Sequence, residues 1–400
     1  MPITITTTVA LVLSHFAAPV QPESKGNEHF ESGAEAHAKR DYEKAIREYT
    51  AALTREPKSV AIYEARADAH AHNGDPLAAI RDLSEAIALD PNRARTYAAR
   101  GNLRCRLGWT EKAIEDLTEA IRLDSAQATS FYDRGLAYAR HGDHKKAIAD
   151  HTTALRLDPD MAAAHHARGV ARGTLGEFDR AIADFSECIR LDSKYARAFH
   201  NRGAAYRVQG KLDKALADLG EAIRLEPREP SHYLARAICY RLKRDFPAAF
   251  TDCDEAVRLD PKNPVALCHR AAVCLVTREW EAARKDFDEA IRLNPNYADA
   301  FMHRAMLIAS CPDPRYQDAP LAFKDSKRAC ELTEWKNSAA LEAYAASLAA
   351  LGDFESAVKW QKKVLADDVY MRTEGTSARK RLELYESQTP FRPDPGPRRD

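Results

Sequence analysis

Arg66, Arg100, Arg134, Arg168, Arg202, Arg236, Arg270 and Arg304 follow one another at intervals of 34 residues in a chain of 400. Eight identical residues in register exclude chance, and other residue types keep the same interval. Alanine does so at 45, 79, 113, 147, 181, 215, 249 and 283, and aspartate at Asp82, Asp116, Asp150, Asp184, Asp218, Asp252 and Asp286. The residue after each arginine is always small, as in Gly101, Gly135, Gly169 and Gly203 or Ala67, Ala237, Ala271 and Ala305. Length alone suggests two or three domains, but a period of this kind calls for copies of one supersecondary unit instead.

Within a unit the pattern is that of two amphipathic helices. Across residues 196–229, Phe199, Gly203 and Tyr206 lie at i, i+4 and i+7 and share one face of a first helix. Gly210 stops that helix. Ala215, Leu219, Ala222 and Ile223 continue at helical spacing along a second one until Pro227 ends it. One such antiparallel hairpin cannot bury its apolar face alone, so successive hairpins must stack and shield one another. The fold class that follows is all-α, an α-solenoid.

The order aromatic, Gly or Ala, Tyr, Ala, aromatic or Leu, Ala, Pro, carried by Phe199, Gly203, Tyr206, Ala215, Leu219, Ala222 and Pro227, resembles the tetratricopeptide repeat family. The resemblance implies a right-handed superhelix of about ten helix-turn-helix units. Units begin at 26, 60, 94, 128, 162, 196, 230 and 264. A ninth begins at 298 and is interrupted by Ser310-Cys311-Pro312-Asp313-Pro314-Arg315, after which Ala322, Asp325 and Ala329 resume the pattern five residues late. A tenth begins near Ser338, and the array as a whole covers 26–371. The stretch 372–388, with Leu382, Leu384 and Tyr385, reads as a capping helix, and the proline-rich 389–400 as a disordered tail.

Composition narrows the function classes. Lys plus Arg equals Asp plus Glu at 60 each, so no net field draws the chain to nucleic acid or an anionic membrane. Val9 to Val20 is too short an apolar stretch for a bilayer span, which needs roughly 20 residues. It has small residues at Ala17 and Ala18 but no Lys or Arg in residues 1–24, so 1–25 reads as a disordered or weakly signal-like segment. The eight cysteines, scattered without CxxC, read as small buried apolar residues and suit the cytoplasm; export to the periplasm or cell envelope is the alternative. No GxxxxGK[ST], GxSxG or dinucleotide-binding loop occurs. The histidines His70, His72, His165, His166 and His200 lack a third ligand at defined spacing. No catalytic, cofactor or metal site is expected.

A hairpin folded about Gly210 would bring Arg202 opposite the region of Asp218, and each internal arginine could then reach an aspartate of its own unit or of the preceding one. The arginines and the aspartates, Asp325 included, therefore read as a structural ladder, not an anion site. What remains for function is a surface. By the resemblance, the first helix of each unit lines a concave wall through its second, fifth, ninth, twelfth and thirteenth positions. Units three to six place Arg95, Asn102, Arg106, Tyr132, Arg140, His166, Arg197, His200 and Arg207 there, a basic and aromatic wall. Units seven to nine place Leu234, Ile238, Leu242, Cys268, Leu275, Val276, Met302 and Met306, with Arg241 beside them, an apolar wall. Phe30 and Ala34 stand where some family members carry a lysine and asparagine clamp for peptide carboxylates, so that function is disfavoured. The chain reads as a monomeric, non-enzymatic scaffold binding a peptide or helix of a partner protein; a regulatory or targeting subunit of an enzyme or envelope complex is the alternative.

Stacked units contact only their neighbours, so removal of one whole period, Ala162 to Tyr195, is expected to leave a folded, shorter array. Circular dichroism of the deletion protein checks this, and a collapse of helicity would contradict the repeat reading.

Overall fold

The computed structural model describes residues 28–393; the segments 1–27 and 394–400, with the signal-like stretch and most of the proline-rich tail, lie outside the described residues. Among the described residues there are α-helices, one short 3-10 turn and no strand. Two compact units divide the chain, one ending at Gln209 and the other beginning at Gly210. The first contains α1 (Glu28–Ala38), α2 (Tyr42–Arg55), α3 (Val60–His72), α4 (Pro76–Leu89), α5 (Ala94–Arg106), α6 (Thr110–Leu123), α7 (Ala128–His141), α8 (His144–Leu157), α9 (Ala162–Thr174), α10 (Phe178–Leu191) and α11 (Ala196–Val208). The second contains α12 (Leu212–Leu225), α13 (Pro230–Leu242), α14 (Phe246–Leu259), α15 (Pro264–Thr277), α16 (Trp280–Leu293), α17 (Ala298–Ser310), α18 (Ala319–Leu332), α19 (Ser338–Ala350), α20 (Phe354–Leu365) and α21 (Asp368–Glu386). From α3 to α19, each first helix starts at the residue where the period places its unit. Within each compact unit a first helix packs on its second, and the second packs on the next first helix. That is the stacked-hairpin order the period requires.

Local chemistry makes each hairpin. The turn between its helices passes through a left-handed residue, Gly142 at φ +90° in one case and Arg278 at +68° in another where no glycine stands. Arg278 holds that conformation at a cost of about 1–2 kcal/mol. At the following position Asp75, Asp143 and Asp245 cap the second helices, accepting from the backbone N–H of Ala78, Lys146 and Ala248 at 2.9, 3.1 and 3.2 Å. Each cap contributes about 1 kcal/mol. The periodic alanines Ala45, Ala79, Ala113, Ala147, Ala181, Ala215, Ala249 and Ala283 are all completely buried, which lets neighbouring helix backbones approach closely. On the outer face, Arg122, Arg190, Arg258 and Arg292 pair with Glu119, Glu187, Glu255 and Glu289 at i, i+3 in full solvent. Such exposed pairs favour helix and solubility and add little stability.

The arginine ladder has a definite geometry. Arg66, Arg134, Arg236 and Arg270 grip Asp82, Asp150, Asp252 and Asp286 of their own hairpin through Nε and Nη2, at 2.7–2.8 Å. Arg100 and Arg168 hold Asp116 and Asp184 in the same way, with shortest distances of 2.8 and 2.7 Å. The aspartates are buried. The third arm, Nη1, crosses to the preceding hairpin, but not to its aspartate. It meets the residue two positions further on: Thr50, Ser84, Thr118 and Thr152 for Arg66, Arg100, Arg134 and Arg168, and Ser186 for Arg202. In the second unit that acceptor becomes a carboxylate for two arginines, with Arg270 on Asp254 and Arg304 on Asp288, both at 2.6 Å, whereas Arg236 meets Gly220 there, which offers no side-chain acceptor. One guanidinium thus joins both helices of its hairpin to the hairpin before it.

The insertion in the ninth repeat leaves this geometry intact. Arg304 still clasps Asp325, at 2.7 and 2.9 Å, although 21 residues separate them. The extra residues form a 3-10 turn, Pro314–Tyr316, and Asp318 then caps α18 by accepting from the Leu321 N–H. At the end of the chain α21 begins at Asp368 instead of 372 and is anchored on the buried Glu342, which accepts from Tyr370 at 2.8 Å and pairs with Arg381 at 2.8 Å. Tyr385 is buried, and Leu384 and Phe391 pack against the same cluster. The reading of 389–400 as a free tail fails for its first part. Arg392 donates to the carbonyl of Ala309 at 2.6 Å, so this stretch is tied to the C-terminal end of α17. Five N–H donors on one planar group make arginine able to do this from an otherwise proline-rich stretch of chain.

Arg134→Ala or Asp150→Ala alone strands a partly buried charge and is expected to cost about 3–5 kcal/mol. The double change is expected to cost clearly less than the sum. Urea unfolding of the four proteins checks this, and additivity within about 0.3 kcal/mol would show the pair to be uncoupled.

Candidate partner-binding surface

The first helices carry the positions expected to face a partner, and the structure divides them sharply by what each already touches. In the first compact unit Arg95 is exposed, yet its guanidinium pairs with Glu64 on the preceding first helix. Glu64 is buried and also takes Arg93, at 3.2 and 3.1 Å, and the hydroxyl of Thr96. These donors hold its carboxyl below the usual range although burial works against them. Arg140 donates to the carbonyl of Cys105, one first helix back. Arg95 and Arg140 are therefore joints between neighbouring first helices, not free partner contacts. Tyr132 is half-buried beside His151, and burial raises its hydroxyl pKa. His166 contacts Phe185 and Tyr195 and lies 3.0 Å from the side-chain amide of Asn201. Asn102, His200 and Arg207 are half-buried, and Arg106 is exposed.

In the second unit the apolar positions also split. Leu234 is buried with Ala256 and Ala266, and Met302 with Ala305, Ala329 and Ala340. Leu275 and Met306 pack against the cluster around Phe287 and Ile308. Leu234 and Met302 are core between helices, and Leu275 and Met306 are half-buried against it, which corrects the expectation of one continuous apolar wall. At the fifth position the next hairpin covers the side chain, with Ala266 against Leu234 and Ala340 against Met302. Ile238 is half-buried, and Arg241 lies 3.3 Å from Nδ1 of His269. The thirteenth positions behave differently. Leu242 is 57% exposed and Val276 52% exposed, at the C-terminal ends of α13 and α15. They are apolar groups left in water by the fold.

Sequence reasoning missed two features of this face. Glu64 occupies the fifth position of the second unit, which the wall as read from unit three onward leaves out. The second is the setting of four histidines, His151 completely buried and His166, His269 and His303 half-buried. His151 is completely buried and neither ring nitrogen has a hydrogen-bond partner; burial, with Arg168 nearby, pushes its pKa down to about 3. Burial lowers His166, His269 and His303 to about 4, helped by Arg197 for the first and Arg241 for the other two. All four are neutral near pH 7. All eight cysteines are buried thiols, and burial raises Cys188, Cys253 and Cys330 to about 12, too high for a nucleophile. The open concavity on α16, lined by Glu281, Arg284, Lys285, Asp288, Glu289 and Arg292, is charged on all sides and lies on a second helix. One trio of metal-ligand types converges among the described residues: His37, Asp68 and His72. No described helix is long and apolar enough to cross a membrane.

Comparison with known proteins agrees with the repeat. A family model described as tetratricopeptide repeat matches residues 33–94, 133–196 and 200–264, and a second, described as TPR repeat, matches 101–142. Among solved structures, a tetratricopeptide repeat protein from Parabacteroides merdae is 22% identical, covers 60% of this chain and 95% of its own, and superposes with a TM-score of 0.50. MamA is 28% identical over 41% of this chain and 96% of its own, with a TM-score of 0.39. YrrB, described as a TPR protein with an unusual peptide-binding site, is 23% identical over 46% of this chain and 95% of its own, with a TM-score of 0.40. No curated protein matches the chain.

The buried histidines set a pH window. Their folded pKa values lie below the unfolded value of about 6.5, so on acidification the unfolded chain takes up protons first. Their contribution to stability is present above pH 6.5 and is lost as pH falls toward 4. Phe185 sits one period after His151 against an equivalent glycine, so a phenyl ring fits this site. His151→Phe is expected to raise stability by about 1–3 kcal/mol and to flatten the acid loss. Thermal melts of both proteins between pH 4 and 7 check this; an equal or steeper acid loss in the variant contradicts it.

Proposed function

Because this chain belongs to the tetratricopeptide repeat family, we propose that it is a non-catalytic scaffold for protein–protein interaction, which holds an extended or helical segment of a partner against its first helices. The observation that carries the reading is the exposed pair Leu242 and Val276, at the same position of consecutive repeats. Each exposes an apolar side chain whose burial contributes about 1.5–3 kcal/mol, and a partner residue covering both gains that contribution without disturbing the core. Ile238, half-buried one helical turn before Leu242, widens the patch. In the first unit the exposed Arg106 stands at the corresponding position and offers hydrogen bonds to acidic groups. Recognition of this kind is cumulative, a modest contribution from each repeat. The absence of an activated nucleophile in the cysteine set and the neutral, buried state of the histidines support a binding role over a catalytic one.

The test separates surface from core. Leu242→Glu and Val276→Glu together are expected to abolish partner capture in affinity purification followed by mass spectrometry, with melting unchanged. Leu234→Glu places a charge in the core and is expected to unfold the second unit. Retention of the same partners by the Leu242→Glu, Val276→Glu protein would overturn the reading.

A further inference from the structure

We propose that His37, Asp68 and His72 form a binding site for a divalent transition-metal ion of the zinc class, linking the first hairpin to the second. His37 lies in the last turn of α1, and Asp68 and His72 lie at i and i+4 on one face of α3. The donor atoms converge: Nε2 of His37 is 3.1 Å from Oδ2 of Asp68, and Nδ1 of His72 is 3.1 Å from Oδ1. All three donor atoms fit within 4.8 Å of one another. Two ligands about 2.0–2.1 Å from a tetrahedral ion are separated by roughly 3.3 Å, so the trio needs only small side-chain adjustments to surround one.

The second observation is the state of the carboxylate. Asp68 is only 7% exposed, and its Oδ1 makes no hydrogen bond; Nε2 of His37 is likewise buried without one. The atoms are within ion-pair distance, yet neither imidazole makes a hydrogen bond to a carboxylate oxygen of Asp68. A buried carboxylate oxygen left this way is costly. Lone pairs that converge on a common point without satisfying one another are the arrangement a cation completes. The nearest guanidinium on α3, Arg66, is held by Asp82 and does not serve.

The surroundings orient the rings. Tyr42, the first residue of α2, stacks on His72 at 5.1 Å and 21° and meets His37 edge-on at 5.3 Å. Two neutral imidazoles and one carboxylate make a borderline donor set, which suits Zn²⁺ and disfavours Ca²⁺ or Mg²⁺. Three protein ligands leave a fourth position for water. The competing arrangement is a plain hydrogen bond from Nδ1–H of His72 to the Asp68 carbonyl, 3.0 Å away. Metal binding requires the other tautomer, with the proton on Nε2, so the two arrangements are exclusive at His72.

The experiment uses the full chain, stripped with a chelator, and Zn²⁺ alone as the probe. Isothermal titration calorimetry is expected to give one ion per chain, and His37→Gln and His72→Gln are each expected to weaken binding by roughly tenfold or more. His70→Gln, midway between Asp68 and His72 on the same helix but directed at Asp82, is the control that leaves binding unchanged. Zn²⁺ is expected to raise the melting temperature of the parent protein and not that of the His37→Gln, His72→Gln double variant. Circular dichroism establishes that the variants are folded. Zinc affinity that is equal in the parent and the folded double variant would overturn the proposal, and so would the absence of saturable binding to the parent.

Discussion

From the second hairpin to the ninth, each hairpin that lies within one compact unit is closed by a planar guanidinium laid against a buried carboxylate, and the rest of the repeat architecture depends on that contact; in α19 and α20 the packed rings of Tyr344 and Trp360 take its place. A carboxylate at these positions, out of water, is tolerable only with its oxygens bonded, and the fork of arginine bonds both at once. Lysine presents a single point charge and could not fill the same role while also reaching the hairpin before it. The third arm makes the interaction more than a clasp within a hairpin. It fixes the stagger between successive hairpins, through a hydroxyl in the first compact unit and through carboxylates in the second. The five-residue insertion shows how strongly the contact is held. The extra chain is accommodated in a turn, and the bidentate pair of Arg304 and Asp325 is kept.

Between the clasps, alanine decides how close the helices come. One turn after the fully buried periodic alanines, second helices fill the core with large side chains such as Leu83, Leu117 and Phe287, while on the first helices the fold divides large side chains between packing and solvent. Arg95 and Arg140 resemble partner contacts by position but bridge to Glu64 and to a carbonyl of the helix before. Leu234 and Met302 resemble an apolar binding wall by composition but are covered by the next hairpin. Leu242 and Val276 stand at helix ends, where the next hairpin no longer reaches them. A repeat of uniform period thus yields a surface of unequal positions.

Histidine serves three ends in this chain because its environment changes and its chemistry does not. His151 takes the place filled by Leu117 and Phe185 in neighbouring repeats and behaves as a flat apolar group kept neutral by burial. His269 and His303 lie near Arg241, whose charge joins burial in disfavouring protonation. His37 and His72 instead face a carboxylate, and the three donor groups together suit a metal ion placed among them.

The first helices start at 34-residue steps from Val60 to Ala298, because each unit repeats the same turn residues, caps and buried alanines, and those act locally. The identity of the arginine and aspartate partners was legible for the same reason: within a hairpin, two residues 16 apart are brought together by the turn alone. The third contact of each arginine, the burial of Leu234 and Met302, and the return of Arg392 to Ala309 were not legible. They depend on how one hairpin lies on the next, and on a segment of low helical and strand propensity finding a surface far away in sequence. The trio of His37, Asp68 and His72 belongs to this second kind. Two of its members share a helix face that the sequence displays, but the third comes from another hairpin, and only the packing of α1 on α3 brings its imidazole to the carboxylate.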